Sequence, residues 1–132
     1  MVPLFLNEQH SLAAKLWIIS SRDKFFYSHL AKGELNSAIS KNVRMGVIEQ
    51  EQAEGIRLAA GEWLRMSLQC VEIDDEDIET ASKMVAKPFP KLLMPDAIHL
   101  VVCKRAKLSM VTFDKDLFAI AAREGITAIL PV

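Results

Sequence analysis

The chain has 132 residues, of which 51% are apolar and 25% charged, and its 16 basic residues almost balance its 17 acidic ones. This length and apolar fraction predict a single globular domain over residues 1–132 with its own buried core. The near-neutral charge excludes a general polyanion binder but leaves room for nucleic-acid binding through a local basic patch. No apolar run approaches the ~20 residues needed to cross a bilayer, so we expect no membrane contact.

The two cysteines, Cys70 and Cys103, fall in a predicted strand and a predicted helix and lack CxxC spacing. They are expected to be structural thiols in a reduced, cytoplasmic protein. Residues 1–6 contain no basic leader, and Asn7 and Glu8 follow at once, which is not typical of a signal peptide.

The first half of the chain alternates two kinds of apolar pattern. Helical spacing predicts helices at residues 8–20, 29–43 and 49–67, and β-prone runs predict strands at residues 24–28 and 68–73. These segments follow one another without a linker or a repeat. The first half therefore predicts helices connected by short strands.

The second half continues the alternation. Helices are predicted to start at Asp74, at Pro95 and at Asp114 or Lys115, with strands at residues 108–113 and 126–130 and a proline-containing loop at residues 87–94. Strands that alternate with helices predict an α/β fold with a largely parallel sheet.

The stretch at residues 92–117 carries the clearest functional pattern. Pro95 suits the first turn of a helix, and Asp96 beside it favours the positive end of the helix dipole. The buried strand at residues 108–113 ends directly before Asp114. Ligands of parallel α/β sheets bind beyond the carboxyl ends of the strands, where helix N-termini also gather, so we expect Asp96 and Asp114 to meet at one site.

Residues 95–117, PDAIHLVVCKRAKLSMVTFDKDL, resemble the C-terminal half of a PIN domain, the nuclease fold of the VapC-type toxins of toxin–antitoxin pairs. In that family an Asp opens the penultimate helix in a context like (A/P)DAIHLA, and a second Asp follows the next strand in a context like LVTFDxxL. The resemblance extends forward through the closing ITAILP and more loosely backward to Ser28. It implies a three-layer α/β/α fold with a mostly parallel sheet.

The resemblance also implies a first, central strand that carries an acidic residue followed by Ser or Thr. Residues 1–6 resemble the segment that comes just after this strand, so we expect the first strand and its acid to be missing from this chain. A degenerate family member with a reduced site is the alternative. The absent strand would lie between the strands near Phe25 and Ser109, whose edges would be exposed or would pair with each other.

The resemblance assigns three carboxylates as catalytic and metal-binding: Glu34, Asp96 and Asp114. Glu34, in SHLAKGELNSAI, matches the Glu of family segments like SxLTLAELxSAI, although Lys32 and Gly33 depart from that motif. Phosphodiester cleavage at neutral pH uses a metal ion, and oxygen ligands suit Mg²⁺, for which Mn²⁺ can substitute. Each acid also has an ordinary interpretation: Asp96 as a helix-dipole charge, Asp114 as an N-cap and Glu34 as a solvated helix residue.

Three nearby side chains are accessory candidates. Asp116 could be a spare ligand or a solvated carboxylate, and Thr112 could orient a carboxylate or phosphate. Ser28 could cap the helix that carries Glu34, at the strand end towards which the Glu34 side chain could point.

Other charged segments favour structural roles. The histidines show no metal-ligand spacing. The cluster of Lys104, Arg105 and Lys107 is typical of a helix C-terminus, with RNA contact as the second interpretation. The acidic run at residues 74–77 is expected to start a helix and to form a solvated face.

Two function hypotheses follow. The first is a Mg²⁺-dependent endoribonuclease of the VapC-toxin type; the second is a catalytically impaired PIN-like module that binds RNA or a partner protein. A nucleotide-binding α/β domain is a weaker third, because the chain has no Gly-rich phosphate loop. The resemblance further implies a homodimer and a cognate antitoxin.

Overall fold

The computed structural model describes residues 11–21 and 23–131, which fold into six helices and four short strands. In chain order the elements are α1 (Ser11–Ser20), β1 (Phe26–Tyr27), α2 (His29–Arg44), α3 (Gln50–Ser67), β2 (Gln69–Cys70), α4 (Asp75–Val85), α5 (Met94–Ala106), β3 (Met110–Val111), α6 (Lys115–Arg123) and β4 (Ala128–Ile129). The chain divides into an N-terminal unit, Met1–Val71, and a C-terminal unit, Glu72–Val132.

The predicted α/β class and the parallel pairing of the strands are confirmed. In the N-terminal unit β1 pairs with β2, and in the C-terminal unit β3 pairs with β4, in both cases in parallel. Within the described residues these pairs form two separate two-stranded sheets. Each strand is only two residues long, much shorter than the apolar runs that predicted it.

The N-terminal unit is built on the packing of α2 against α3. Leu35 and Ile39 of α2 are buried in one cluster with Ala53 and Ala60 of α3. The small alanines let the two helices approach closely, because their side chains occupy little space between the helix axes. The α2–α3 pair thereby fixes the helix that carries Glu34.

Local signals set the ends of these two helices as the sequence predicted. Ser28 caps α2, and Gly46, with φ of 72°, follows its C-terminal end. A positive φ suits glycine because it has no Cβ atom to clash. Gln52 caps the start of α3, because its Oε1 accepts a hydrogen bond of 2.8 Å from the backbone N–H of Glu49.

The C-terminal unit has a core that joins α5, β3 and α6. Its buried residues are Leu100, Met110, Leu117, Ile120, Ala121 and Ile126. α5 is buried along most of its length, as its continuous apolar run predicted. The same core holds the first turn of α6 against the end of β3.

Some predictions concern residues that the structure does not describe. The likeness of residues 1–6 to the start of a family helix, and the first residues of the predicted helix at 8–20, lie outside the described residues. The missing first strand concerns positions before Met1 and stays a prediction. In the described ranges, no helix has both the length and the apolar character to span a membrane.

Candidate functional site

Asp114 is held at the junction between β3 and α6. Its Oδ1 accepts hydrogen bonds from the backbone N–H groups of Asp116, at 2.9 Å, and Leu117, at 3.1 Å. The hydroxyl oxygen of Thr112 accepts the backbone N–H of Asp114 at 3.0 Å. The N-cap interpretation is therefore confirmed, and Thr112 orients the backbone of Asp114 rather than its carboxylate.

Capping leaves part of the Asp114 carboxylate available. The residue is exposed, and its Oδ2 accepts no hydrogen bond from the described residues. A carboxylate has two oxygens with about four lone-pair sites. Asp114 can therefore cap α6 with one oxygen and bind a cation with the other.

Asp96 lies in the first turn of α5 and is half-buried. The N-cap position of this helix is Leu93, which offers no side-chain acceptor, and Pro95 removes one N–H donor from the first turn. The remaining N–H groups and the helix dipole favour a negative charge here. α5 thus places the Asp96 carboxylate at the positive end of a largely buried helix.

The course of the chain between Asp96 and Asp114 leads us to expect both residues at the same end of the C-terminal unit. The chain reverses at Lys107, which has φ of 56° and ψ of 43°, and β3 then runs back along α5, with Leu100 and Met110 in one core. From Asp96 to Lys107 the helix rises about 17 Å at about 1.5 Å per residue. From Lys107 to Asp114 an extended chain covers up to about 23 Å, enough to return to the level of Asp96.

Glu34 belongs to the N-terminal unit, whereas Asp96 and Asp114 belong to the C-terminal unit. Glu34 is an exposed residue of α2, between one and two turns after Ser28. The Ser28 hydroxyl oxygen accepts the backbone N–H of Ala31 at 3.2 Å, which confirms its predicted role as a cap. The place of Glu34 in the site stays a prediction.

Asp116 is exposed in the first turn of α6. Within either unit, the described residues contain no group of three or more His, Cys, Asp or Glu side chains placed to hold a metal ion. The meeting of Asp96 and Asp114 at one site therefore stays a prediction, with Asp116 two residues further along the chain.

An ion pair between the exposed Arg105 and the buried Asp77 in the C-terminal unit was not predicted. Arg105 donates from Nε to Asp77 Oδ1 at 2.8 Å and from Nη2 to Asp77 Oδ2 at 2.9 Å, and Nη2 also donates to the backbone carbonyl of Glu72 at 2.6 Å. Asp77 is only 2% exposed. The expectation that residues 74–77 form a solvated face is therefore wrong for Asp77. Its charge can be buried because the Arg105 guanidinium compensates it.

The electrostatics of this pair follow from its geometry. The hydrogen bonds from Arg105, with smaller help from Asp74, lower the pKa of Asp77 despite its burial. The same contacts raise the pKa of Arg105. Both groups stay charged near neutral pH, and the pair fastens the C-terminal end of α5 to the first turn of α4.

A second unpredicted cluster lies at the carboxyl ends of β1 and β2. Cys70 is exposed, and its Sγ lies 3.7 Å from Nε2 of His29, the first residue of α2. The rings of Tyr27 and His29 pack edge to face, with 6.4 Å between their centroids. Burial, and to a smaller extent the nearby Cys70, raises the pKa of the Tyr27 hydroxyl. Both cysteines are free, but only Cys103 is half-buried as a structural thiol would be.

A model of the PIN domain matches residues 1–123. The chain belongs to the PIN domain family. PIN domains are generally nucleases, which are phosphodiester hydrolases, and the six helices and short parallel strands are consistent with a PIN fold. A search of curated proteins found no match to this PIN domain.

Proposed function

We propose that this PIN domain is a Mg²⁺-dependent endoribonuclease of the VapC-toxin type, which hydrolyses phosphodiester bonds of RNA in the cytoplasm. The observation that carries the proposal is that, in a PIN-family chain, Asp114 caps α6 at the end of β3 with one oxygen only, while Asp96 lies in the first turn of α5. In a chain of a nuclease family, two carboxylates at a strand end and a helix start are the expected holders of a metal ion.

The chemistry of the donor set fits Mg²⁺. Hard cations take oxygen ligands, and Asp114 keeps Oδ2 uncommitted while Asp96 supplies a second carboxylate. Glu34 on α2 is the third ligand in this proposal, by its match to the family motif. When bound, the ion lowers the pKa of a water nucleophile and offsets the negative charge that builds on phosphorus.

The residues of the chain itself hold the two acids in position. Thr112 fixes the backbone of Asp114, and the N–H groups of Asp116 and Leu117 fix its carboxylate. Asp96 is fixed by α5, whose other side lies in the core. This support reduces the side-chain motion that would otherwise weaken metal binding and substrate alignment.

The proposal includes two partners besides RNA. A homodimer and a cognate antitoxin follow from the resemblance to VapC-type toxins. An antitoxin would inhibit by covering the carboxylates with a segment that places a basic residue among them.

RNA cleavage by the full chain tests the proposal. The assay compares the wild type with Glu34→Gln, Asp96→Asn and Asp114→Asn in Mn²⁺ or Mg²⁺, and uses Glu79→Gln, an exposed residue of α4, as the matched control. We expect metal-dependent cutting by the wild type and the control, with strong losses in the other three variants. RNA binding without cutting by a folded wild type would favour the PIN-like binding module instead.

A further inference from the structure

An open polar groove runs between α2 and α3 in the N-terminal unit, with a volume of about 420 Å³. Its lining residues, which define the arginine groove, are Asn36, Ser37, Ser40, Arg44 and Arg57. None of them belongs to the proposed set of metal ligands. All five can donate hydrogen bonds and none is a carboxylate.

Helical spacing explains why four of these residues share one side of α2. At about 100° per residue, positions 36, 37, 40 and 44 fall within about 100° of each other around the helix axis. The apolar residues Leu35 and Ile39 point away into the core and are 1% and 0% exposed. Glu34 lies about 100° around the same axis from the centre of the groove, so the groove borders the surface that carries this acid.

Arg57 is anchored across the groove. Its Nη2 donates a hydrogen bond of 2.9 Å to the hydroxyl oxygen of Ser40, which joins α3 to α2. Neither Arg57 nor Arg44 forms an ion pair with any residue that the structure describes. The groove therefore carries two positive charges that the described part of the protein does not neutralise.

The neutral donors of the groove are also uncommitted. Within a helix, a serine hydroxyl commonly donates to the backbone carbonyl four residues earlier. The hydroxyls of Ser37 and Ser40 make no such bond in the described residues, and the Asn36 amide has no partner there. These groups can donate to an anion that the two guanidinium groups attract, and a guanidinium fork matches phosphate oxygens.

We propose that the arginine groove binds a backbone phosphate of the RNA strand and so positions the substrate beside Glu34. The inference rests on the proposed ribonuclease function, to which it adds a subsite. Arg44 and Arg57 are positioning residues here, because they act on the strand away from the reacting phosphate.

Binding of a short, fluorescently labelled single-stranded RNA to the full chain tests the subsite, in EDTA so that no metal-dependent cleavage occurs. The variants are Arg44→Met and Arg57→Met. Their matched controls are Lys41→Met, an exposed cation on α2, and Arg65→Met, an exposed cation on α3, both outside the groove. Each pair removes one positive charge from the same helix.

We expect each groove variant to weaken RNA binding about tenfold, because a hydrogen bond to a charged group is lost. The logarithm of the binding constant decreases linearly with the logarithm of the KCl concentration. This slope should become shallower by about 0.7 for each arginine removed. In the cleavage assay KM should rise while kcat stays near the wild-type value. Arg57→Lys, which keeps the charge, should restore part of the affinity.

Several outcomes would overturn the subsite. One is that both groove variants have the same RNA affinity and the same salt dependence as their controls. Another is that kcat falls while KM is unchanged. Loss of binding to an acidic peptide, with RNA binding intact, would assign the groove to a protein partner instead. Thermal unfolding checks that Arg57→Met is folded. Arg44→Met keeps the test decisive, because the Arg44 side chain makes no hydrogen bond or ion pair with the described residues.

The binding assay separates this inference from the proposed function. If the wild type cuts no RNA but the groove variants bind RNA more weakly than their controls, the phosphate subsite is supported and the ribonuclease proposal is wrong. If the wild type cuts RNA and the groove variants behave like their controls, the ribonuclease proposal holds and the groove fails.

Discussion

The C-terminal unit uses carboxylates in two opposite ways. Asp77 is 2% exposed, and both of its oxygens accept hydrogen bonds from Arg105. Asp114 is exposed and uses one oxygen to cap α6, while its second oxygen accepts nothing from the described residues. In both cases the acid lies at the start of a helix, at N3 of α4 or at the N-cap of α6.

The difference shows that the groups around a carboxylate at a helix start decide whether it stabilises the fold or can bind a ligand. At Asp77 a guanidinium supplies the compensating charge, so the carboxylate stabilises the fold and has no oxygen left for a ligand. At Asp114 the described residues contribute only backbone N–H groups to compensate the charge. A metal ion is the natural counterion for such an acid, above all beside a second one such as Asp96.

The largest expected effect comes from separating the two roles of Asp114. Asp114→Asn keeps a capping oxygen but loses the charge, whereas Asp114→Ala loses both. Both variants should lose metal-dependent RNA cleavage by at least ~100-fold, the upper range for loss of a supporting residue at a metal site. Only Asp114→Ala should also lower the free energy of unfolding, by about 1 kcal/mol.

Cleavage rates and urea unfolding of the same preparations check this prediction. If Asp114→Asn cuts RNA at the wild-type rate, Asp114 is only a cap, and the contrast with Asp77 disappears.

A smaller effect is expected from breaking the pair of Asp77 and Arg105. Asp77→Asn should lower the free energy of unfolding by about 1–3 kcal/mol, because hydrogen bonds to charged groups are lost. Arg105→Met should also destabilise the protein, because it leaves a buried carboxylate without its cation. Lys104→Met, an exposed neighbour on α5, is the control and should change little.

The pair should affect stability and leave the chemistry alone. Cleavage per folded molecule is expected to stay at the wild-type level in Asp77→Asn. A selective loss of cleavage in a stable Asp77→Asn variant would instead place Asp77 in the site.

The smallest expected effect is a difference in pH dependence. The pKa of Asp77 is lower in the folded protein than in the unfolded chain, so its stabilising contribution is present above the unfolded pKa of about 4. The contribution is lost as the pH falls through the lowered folded value. Urea unfolding at decreasing pH should therefore show a steeper loss of stability in the wild type than in Asp77→Asn; equal slopes would contradict the pairing.

Local signals in the sequence predicted much of the fold. Ser28, Asp74 and Asp114 were each expected at a helix start, and each caps its helix, because capping depends on residues only a few positions away. The strand at residues 108–113 was predicted too long. Its pairing with β4 is decided by residues far along the chain, and only Met110 and Val111 join the ladder.

Contacts between distant residues account for what the sequence did not predict. Asp77 and Arg105 are 28 positions apart, and Cys70 and His29 are 41 apart, so no motif marks either contact. The shared site of Asp96 and Asp114 stays a prediction, which the common core of α5 and β3, the two elements between them, supports. The assignment of Glu34 as a metal ligand rests on its motif alone, because α2 belongs to the N-terminal unit.

Direct titration of Mn²⁺ into the full chain tests whether Asp96 and Asp114 hold a metal ion while Asp77 stabilises the fold. Calorimetry should be run on the wild type, Asp96→Asn and Asp77→Asn, each checked for folding by circular dichroism. We expect stoichiometric binding to the wild type and to Asp77→Asn, with affinity at least ~10-fold weaker in Asp96→Asn. Binding that is unchanged in Asp96→Asn, or weakened only in Asp77→Asn, would contradict this expectation.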